Sequence, residues 1–201
     1  VANPGCYATA IALGTAPAAS VADLSDVVVI AASGTTGAGR SAKINLIASE
    51  VMGSLTTYKF GGVHQHTPEI EESLQRATGS QALISFTPVL APMPRGILAT
   101  ITMKLSDGVK EEEVRRVYEE TYSSEPFVTL LPKGNMPKTS AVTGSNMVAM
   151  QIAVDSHTNR LIISVAIDNL VKGAAGQAIQ NANLICGFDE TLGLTLTGLG
   201  V

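Results

Sequence analysis

The sequence predicts an α+β fold whose largely antiparallel mixed sheet is covered by helices on one face. Residues 97–105 alternate apolar and polar side chains, as a strand with one covered face does. The segments 148–154 and 161–167 have the composition of strands and flank a polar turn, which predicts a hairpin. Strands of the second half are joined by short turns more than by helical crossovers, and this favours α+β over a doubly wound fold.

The other elements follow from apolar periodicity, helix caps and turn residues. In the first half the sequence predicts a helix over 7–14, a buried strand over 26–32, a glycine loop over 33–39 and a helix over 40–52. A helix capped by Thr67, with Pro68 in its first turn, and a strand over 82–90 follow. After the strand over 97–105 the sequence predicts a helix over 109–123, the hairpin, and a last helix over 168–185 that ends at Gly187.

The composition excludes several classes of protein. With 201 residues, 45% hydrophobic and 15% charged, the chain can form a sizeable core and is not of the disordered type. A net charge of -4 shows no basic surplus of the kind that nucleic-acid binding requires. No apolar run reaches the roughly 20 residues that span a membrane. Two cysteines make no disulfide framework, so we expect a reduced, cytoplasmic setting.

Cys6 is the first candidate for chemistry. Gly5 permits a tight turn before it, and the predicted helix then places Cys6 at a helix N-terminus. Unpaired N–H groups and the helix dipole stabilise a thiolate there, and the thiolate is the reactive form. A small buried hydrophobe is the alternative. Cys186, at a helix C-terminus where the dipole opposes a thiolate, fits that alternative, so we expect Cys6 to be alkylated faster than Cys186.

Two of the three histidines stand together as His64-Gln65-His66 before a helix. A catalytic cysteine needs an acid or base with a pKa near neutrality, which histidine supplies. Surface histidines or a metal pair are the alternatives, but no Cys, Asp or Glu beside them completes a ligand set, so no metal site is predicted. His157 lies in the hairpin turn, where we expect it to be solvated.

Further features of the sequence are compatible either with binding a ligand or with a purely structural role. The glycine loop over 33–39 can present N–H groups to a phosphate, although it matches neither known phosphate-binding glycine motif. Glycines that merely turn the chain are the alternative. Arg95, after a proline bend, is either an anion contact or a solvated arginine. Small residues along the last helix permit a flat ligand or tight packing.

Five motifs occur in this order along the sequence: NPGCYAT, SGTTGAGR, HQHTPEI, FTPVLAPMPRGILAT and DNLVKGAAGQAIQN. In combination they carry a resemblance to the N-acetyl-gamma-glutamyl-phosphate reductases of arginine biosynthesis. The resemblance covers essentially the whole chain. Aspartate-semialdehyde dehydrogenases share the architecture but differ around the cysteine and the histidines. The resemblance, with a start at Val1 rather than Met, implies that a Rossmann-type NADP domain precedes this chain. Residues 1–167 would then form a catalytic and dimerisation domain. Residues 168–201 would return to pack on the NADP domain.

The resemblance also implies a reaction and the residues that perform it. NADPH would reduce N-acetyl-gamma-glutamyl phosphate to the semialdehyde through a thioester on Cys6, with His66, next to the helix cap, favoured over His64 as the acid. Less directly, it implies that the cofactor is contacted by Thr36, Gly37, Asn169 and Gln177. It likewise implies that the phosphate or carboxylate of the substrate is contacted by Arg40 and Arg95. The partners would be the acyl phosphate and further copies of the chain in a homodimer or homotetramer.

Gln65 stands where the resemblance implies an arginine, which leaves a substrate-anion role for that position open. Other functions also stay open at this point. The chain could belong to a related semialdehyde dehydrogenase, or it could be an assembly module with no activity by itself. A metal-dependent hydrolase that uses the histidine pair is a third possibility, against which the lack of neighbouring acidic ligands counts.

Overall fold

Seven strands form one mixed sheet in the computed structural model, which describes residues 1–41 and 43–199. In chain order the strands are β1 (Ala22–Ser33), β2 (Thr56–Thr57), β3 (Ile84–Leu90), β4 (Ile97–Leu105), β5 (Val128–Leu130), β6 (Val148–Asp155) and β7 (Arg160–Ile167). Their order in the sheet is β2-β3-β1-β4-β7-β6-β5. Only the pairs β1/β3 and β5/β6 are parallel among the described strands, so the predicted α+β fold with a largely antiparallel sheet is confirmed.

Helices connect the strands, and one more helix follows the last strand. The α-helices are α1 (Cys6–Thr15), α2 (Ala48–Val51), α3 (His66–Thr78), α4 (Glu111–Tyr122), α5 (Thr139–Val142) and α6 (Gly176–Cys186). Tighter 3₁₀ turns occur at Ala16–Ser20, Thr35–Ala38 and Ile44–Leu46, and a wider π turn at Val171–Ala175 leads into α6.

The core lies between one face of the sheet and the helices α1, α3 and α4. The inward residues of β4, every second one from Ile97 to Leu105, are at most 2% exposed, which confirms the predicted alternation. Helix α1 crosses the middle of the sheet, against β4 and β7. Tyr118 of α4 donates from its hydroxyl to the carbonyl oxygen of Gly14 at 2.6 Å. This buried hydrogen bond ties α4 to α1, because an unpaired phenol would be costly there.

The opposite face of the sheet carries apolar side chains in the open. Ile30 on β1 is 55% exposed and Ile162 on β7 is 36% exposed. Both project from central strands of the sheet, since β1 and β7 flank β4 on either side. Helical cover is thus confined to one face over this part of the sheet, as the sequence predicts.

The helix predicted over 40–52 is wrong. In its place stand the 3₁₀ turn Ile44–Leu46 and the single turn α2, while Ala42 lies outside the described residues. Most of the apolar stripe has nothing to cover, since Ile44 is 82% and Ile47 is 48% exposed, although Val51 is buried. Neither turn has a side-chain cap. A short helix without tertiary packing is marginal in water, so the segment forms turns instead.

Two helix starts also differ from the prediction. Helix α3 begins at His66, and Thr67 lies inside its first turn with its hydroxyl buried and unpaired, so Thr67 is not the cap. The last helical region begins at Val171 rather than at residue 168. Asp168 instead accepts hydrogen bonds from the N–H groups of Leu170 and Val171 at 2.8 and 3.0 Å. Its carboxylate thus closes a turn just before the helical region.

The hairpin of β6 and β7 is confirmed, with Asp155 paired to Arg160 across the turn. His157 lies exposed in this turn, where its N–H donates to Asp155 Oδ1 at 3.0 Å. No helix in the described part of the chain is long and apolar enough to cross a membrane.

Candidate active site

A cavity of about 420 Å³ opens between the start of α1, the start of α3 and the chain that follows β1. Cys6, His64 and His66 line it together, although Cys6 and the histidines come from distant parts of the sequence. Gly37, from the glycine loop, lies on another wall. Four of the residues selected from the sequence therefore surround one space.

Cys6 is the first residue of α1 and is partly buried. Gly173 of the π turn packs against it so closely that a Cβ on Gly173 would lie 2.6 Å from Cys6 Cβ. Burial raises the pKa of the Cys6 thiol, although hydrogen bonds from the backbone N–H groups of Tyr7 and Cys6 itself lower it in part. The helix N-terminus contributes as expected from the sequence, but desolvation outweighs it. Burial therefore opposes the stabilisation of a thiolate that the helix N-terminus provides at Cys6.

His64 is held in its neutral form. Its side chain is 5% exposed, and its Nδ1 accepts a hydrogen bond from the backbone N–H of His66 at 3.2 Å. Burial, with the charges of His66 and Lys59, lowers the pKa of His64 to about 4. An Nδ1 that accepts leaves the proton of the neutral ring on Nε2. His64 therefore faces the cavity as an uncharged donor at neutral pH.

His66 lies closer to the turn that carries Cys6. A Cβ on Gly5 would overlap His66 Nε2 and lie 2.6 Å from Cε1, so the imidazole rests on the backbone just before the cysteine. Burial lowers the pKa of His66, although the carboxylate of Glu69 acts in the opposite direction. Its Nδ1 is buried with no hydrogen-bond partner. A neutral imidazole beside a protonated thiol can act as its base.

Glu69 joins the two segments of the site and is a residue that the sequence does not single out for this role. Its Oε1 accepts a hydrogen bond from the backbone N–H of Gly5 at 2.7 Å. Glu69 lies in the first turn of α3, one turn beyond His66. The contact fixes the start of α1 against the start of α3, and so fixes Cys6 relative to His66. An acidic residue in a first helical turn is common, which is why the sequence alone does not point to it.

Aromatic rings surround His64 on the inner side of the cavity. Its ring lies edge-to-face with Tyr7, Tyr58 and Phe86, at centroid distances of 5.5, 5.8 and 5.0 Å. The hydroxyl of Tyr58 donates to that of Tyr7 at 3.0 Å. Such contacts add to simple burial and hold the imidazole in one orientation. Tyr58 lines the cavity as well, and no sequence pattern identifies it.

The remaining cofactor residues predicted from the sequence make contacts within the protein. Thr36 Oγ1 donates to the carbonyl oxygen of Pro94 at 2.6 Å and accepts from Asn169 Nδ2 at 3.0 Å. Asn169 Oδ1 accepts from the N–H of Gly96 at 2.7 Å. These bonds fasten the glycine loop to the residues that precede the π turn. The structure brings Asn169 behind the wall of the cavity that Gly37 forms, rather than onto its surface.

Gln177 is 8% exposed and lies beside Thr9, one turn along α1 from Cys6. Its Nε2 donates to Thr9 Oγ1 at 2.6 Å and to the carbonyl oxygen of Lys172 at 3.0 Å. Gln177 therefore joins α6 to α1 and does not line the cavity that contains Cys6.

Arg95 is engaged by a buried carboxylate and does not line the cavity. Its Nε and Nη2 donate to Asp168 Oδ1 at 3.2 and 2.8 Å, and Nη2 also reaches Oδ2 at 2.8 Å. Asp168 is fully buried. Burial alone would raise the pKa of Asp168, but the hydrogen bonds from Gly144 and Arg95 lower it. In this structure Arg95 is neither the free anion contact nor the solvated side chain expected from the sequence.

Two further residues selected from the sequence, Arg40 and Cys186, also lie outside the lining of the Cys6 cavity. Arg40 is exposed beside a shallower depression of about 280 Å³, whose lining shares Lys43 and Leu46 with the Cys6 cavity. Cys186 is exposed at the end of α6, so the description as a small buried hydrophobe is wrong for it. That helix ends at the surface, which its short apolar sequence does not reveal. Across residues 1–41 and 43–199, no three His, Cys, Asp or Glu side chains form a cluster that could hold a metal ion.

Comparison with known proteins places the chain among relatives longer than itself. Residues 6–169 match the sequence model of the semialdehyde dehydrogenase dimerisation domain. The N-acetyl-gamma-glutamyl-phosphate reductase of Acidothermus cellulolyticus is 57% identical over 99% of this chain and 59% of that protein. The protein of the same name from Streptomyces coelicolor is 53% identical, over 99% of this chain and 58% of that protein. The chain thus spans about three fifths of the length of these relatives.

Solved structures show the same fold at low sequence identity. The aspartate semialdehyde dehydrogenase II of Vibrio cholerae superposes with a TM-score of 0.74 at 17% identity, over 93% of this chain and 62% of that one. The aspartate semialdehyde dehydrogenase of Francisella tularensis gives a TM-score of 0.68 at 14% identity, over 91% and 64%. With a domain model matching most of its residues, this chain belongs to the semialdehyde dehydrogenase dimerisation-domain family, and the two relatives described above, more than half identical to it, carry the name N-acetyl-gamma-glutamyl-phosphate reductase.

Proposed function

We propose that this chain supplies the cysteine and histidine for the NADPH-dependent reduction of N-acetyl-gamma-glutamyl phosphate to its semialdehyde, a step of arginine biosynthesis. The observation that carries the proposal is the meeting of Cys6, His64 and His66 in one cavity. A thiol and a neutral imidazole side by side are the groups that acyl transfer to sulfur needs. The names of the closely similar relatives agree with this chemistry.

The first step is acyl transfer from phosphate to Cys6. The Cys6 sulfur attacks the acyl carbon, an S–C bond forms, and the C–O bond to phosphate breaks. Because the thiol is protonated at rest, His66 accepts its proton as the attack occurs. His66 then passes this proton to the departing phosphate. The products of the step are a thioester on Cys6 and inorganic phosphate.

The second step reduces the thioester to the aldehyde. NADPH, when bound, supplies a hydride to the thioester carbon. The C–S bond of the resulting hemithioacetal then breaks, and His66, after taking up a proton, delivers it to the Cys6 sulfur. Neutral His64, whose Nε2 carries a proton, would donate a hydrogen bond to the carbonyl oxygen while negative charge develops there.

The described residues fit one end of such a dinucleotide. Gly37 lines the Cys6 cavity without a side chain, and a Cβ there would lie 3.2 Å from Ser33 Oγ. The missing side chain thus lets the glycine loop pack closely against Ser33, and a flat ring would lie against the cavity side of this backbone and of Ala38. Thr36 and Asn169 would hold that wall in position through their mutual hydrogen bond. The nucleotide's other half would bind to a Rossmann-type domain outside this chain, which the greater length of the relatives supports.

The proposal includes the arrangement of the whole protein. Residues 168–199, the described part of the last segment, carry exposed Leu184, Ile185 and Phe188. These apolar side chains give the nucleotide-binding domain a surface on which to pack. A cytoplasmic location accords with two free cysteines. The acyl phosphate would be the small-molecule partner of the site.

Assembly is a second proposed function, which the open face of the sheet favours. Ile30 and Ile162 lie exposed on central strands of a domain that belongs to a dimerisation family. An apolar surface of this kind marks an interface more often than it meets water. We propose that two copies of the chain pair through this face, and that the cavity with Cys6, on the helical side of the sheet, stays free.

The catalytic proposal is tested by trapping the first step. A full-length reductase that contains this chain is mixed with the acyl phosphate without NADPH, and phosphate release and peptide masses are followed. We expect one equivalent of phosphate and a thioester on the Cys6 peptide. His66→Ala should slow the release by about 10²-fold, the size of a general acid–base contribution. His157→Ala, in the exposed hairpin turn, is the matched control. Phosphate release from Cys6→Ser at the normal rate would refute the proposal.

A further inference from the structure

The cavity around Cys6 has a cationic rim. Two lysines, Lys43 and Lys59, line it, and no described carboxylate shares that lining. Both lysines are exposed on their outer side and come from the irregular chain between β1 and α3. A concave site with charges of one sign attracts ligands of the other sign. The arginines selected from the sequence do not provide this rim, because Arg95 is bound to Asp168 and Arg40 lines the adjoining depression rather than the cavity itself.

Lys59 has a side-chain partner beside the histidines and an uncommon backbone conformation. Its ammonium Nζ donates to Gln65 Oε1 at 2.9 Å, across the mouth of the loop that carries the histidines. Its backbone has a φ of +43°, a left-handed conformation that side chains other than Asn and Asp rarely adopt. Strain of this kind is found at ligand-binding sites, where the surrounding structure enforces it. Lys43, with a φ of -134°, has an ordinary extended backbone.

The position of Lys59 relative to the histidines gives its charge a definite place in the cavity. The positive charge of Lys59 acts on both rings and adds to the lowering of the pKa of His64 and of His66. The ammonium therefore lies within electrostatic reach of the groups next to Cys6. Gln65, between the two histidines in sequence, holds it there.

We propose that Lys59, positioned by Gln65, binds a carboxylate of the substrate while its acyl group is on Cys6. The inference rests on the proposed function, which requires an acyl chain that reaches Cys6. The ammonium and the amide Nε2 of Gln65 together offer N–H donors to the two oxygens of a carboxylate. A carboxylate stays on the acyl chain through both steps, whereas phosphate must leave after the first. A cation that holds the carboxylate keeps the thioester oriented without retaining the leaving group.

Two alkylating reagents that differ in charge test this binding. Iodoacetate carries a carboxylate and iodoacetamide does not, and both alkylate the same sulfur. The ratio of their rates at Cys6, read by peptide mass mapping, cancels the fraction of thiolate and leaves the attraction for the carboxylate. Cys186 in the same molecule is exposed and provides an internal reference.

We expect Lys59→Gln to lower the iodoacetate-to-iodoacetamide ratio at Cys6 by roughly fivefold, the effect of one unit charge at about 4 Å in water. The ratio at Cys186 should stay the same. Lys59→Arg should retain most of the preference, and Gln65→Glu, which pairs the ammonium with a carboxylate, should reduce it. Lys110→Gln, exposed and outside the cavity lining, is the control for a change in net charge. In the unaltered protein, about 0.5 M salt should lower the preference in the same direction, since the ions screen the rim.

Each other outcome has a definite meaning. An unchanged ratio in folded Lys59→Gln and in high salt would overturn the assignment of Lys59 and leave the proposed function intact. Loss of the preference in Lys43→Gln alone would move the carboxylate to Lys43. Inorganic phosphate could protect Cys6 from alkylation while N-acetylglutamate does not. If Lys59→Gln abolishes that protection, Lys59 contacts phosphate rather than a carboxylate. Failure of the acyl phosphate to acylate Cys6 in a folded full-length reductase would remove the basis of both proposals.

Discussion

The imidazole of His66 rests on the backbone of Gly5, with no space between them for a side chain. A Cβ on Gly5 would overlap Nε2 and lie 2.6 Å from Cε1 of the ring. Glu69 holds the same peptide from the other direction, through its bond to the N–H of Gly5. The residue before the cysteine thus sets the position of Cys6 relative to His66, the base in the proposed mechanism.

Gly5→Ala should therefore damage the site more than the fold. The φ of -70° and ψ of 162° at Gly5 suit alanine, so only the clash with His66 opposes the change. We expect His66 to be displaced and turnover of a full-length reductase to fall by about tenfold or more, because small errors in placement are costly to catalysis. Steady-state assays and far-UV circular dichroism measure the two effects.

Gly14→Ala on the same helix is the matched control. A Cβ there would lie 2.7 Å from Ile101 Cδ1 and 2.8 Å from Val165 Cγ2, inside the core and away from His66. It should lower the free energy of unfolding by about 1–3 kcal/mol, as overpacking does, and leave the turnover of folded protein near normal. Equal losses of turnover in the two variants would show that the contact of Gly5 with His66 has no special role.

Arg95→Ala should destabilise the fold rather than weaken substrate binding selectively. The substitution leaves the buried carboxylate of Asp168 without its charged partner, which typically costs about 3–5 kcal/mol. Urea denaturation measures the loss. Arg116→Ala, which breaks an exposed pair with Glu120, should change the free energy of unfolding by no more than about 0.5 kcal/mol. A stable Arg95→Ala protein with only a raised KM would restore the anion contact expected from the sequence.

The parts of this structure that could be predicted from the sequence are those with a local cause. The alternation over 97–105 predicts β4 because the pleat itself has a period of two. The hairpin follows from the polar turn between two apolar segments. The cysteine after Gly5 and the paired histidines are recognisable as residue types suited to acyl transfer, and the structure does bring them to one cavity. That they meet is a property of the fold, which the resemblance to a family implies and the local patterns do not.

The parts that could not be predicted depend on partners distant in sequence. An apolar stripe over 40–52 shows what a helix could bury but not whether any surface is there to receive it. Arg95 pairs with Asp168, which directly follows β7 and is distant from Arg95 in sequence. The role of Arg95 is therefore decided by tertiary structure. The thiol of Cys6 is governed by burial, which a helix-terminus argument does not include. Lys59 carries no motif at all.

The cysteines should respond to alkylation in the order opposite to that expected from the sequence. Cys186 is exposed, whereas Cys6 is partly buried and its pKa is raised by that burial. At pH 7 iodoacetamide should label Cys186 first, and labelling of Cys6 should rise steeply only at higher pH as its thiolate forms. Peptide mass mapping over time measures both rates, with the urea-unfolded chain as the reference. Faster labelling of Cys6 at pH 7 would mean that the helix terminus outweighs burial after all.

Acidification should destabilise the protein through His64. The pKa of His64 is lowered from 6.5 to about 4, so the unfolded chain takes up a proton at higher pH than the folded one. The stability contribution is fully present above pH 6.5 and is lost as pH falls through about 4. Between pH 7 and 4.5 this group should remove about 2 kcal/mol from the free energy of unfolding.

His64→Phe tests that assignment, since phenylalanine keeps the ring contacts with Tyr7 and Phe86 but has no proton to bind. Urea denaturation at several pH values should show a smaller decline for His64→Phe than for the unaltered chain. His157→Gln, at the exposed turn, should decline as the unaltered chain does. Parallel pH curves for His64→Phe and the unaltered chain would show that His64 is protonated equally in the folded and unfolded states.

The open face of the sheet should control self-association. Ile30 on β1 and Ile162 on β7 present apolar side chains to water in the isolated chain, at 55% and 36% exposure. A pair of copies that buries this face removes both from water, and a carboxylate placed there would have to be buried unpaired. Ile30→Asp should therefore weaken the dimer by tenfold or more, measured as a shift to the monomer mass by light scattering after gel filtration. Ile44→Asp, whose parent side chain is 82% exposed but lies outside the sheet, controls for added charge and should leave the mass unchanged. If Ile30→Asp keeps the same mass as the unaltered chain at micromolar concentration, the copies associate through another surface.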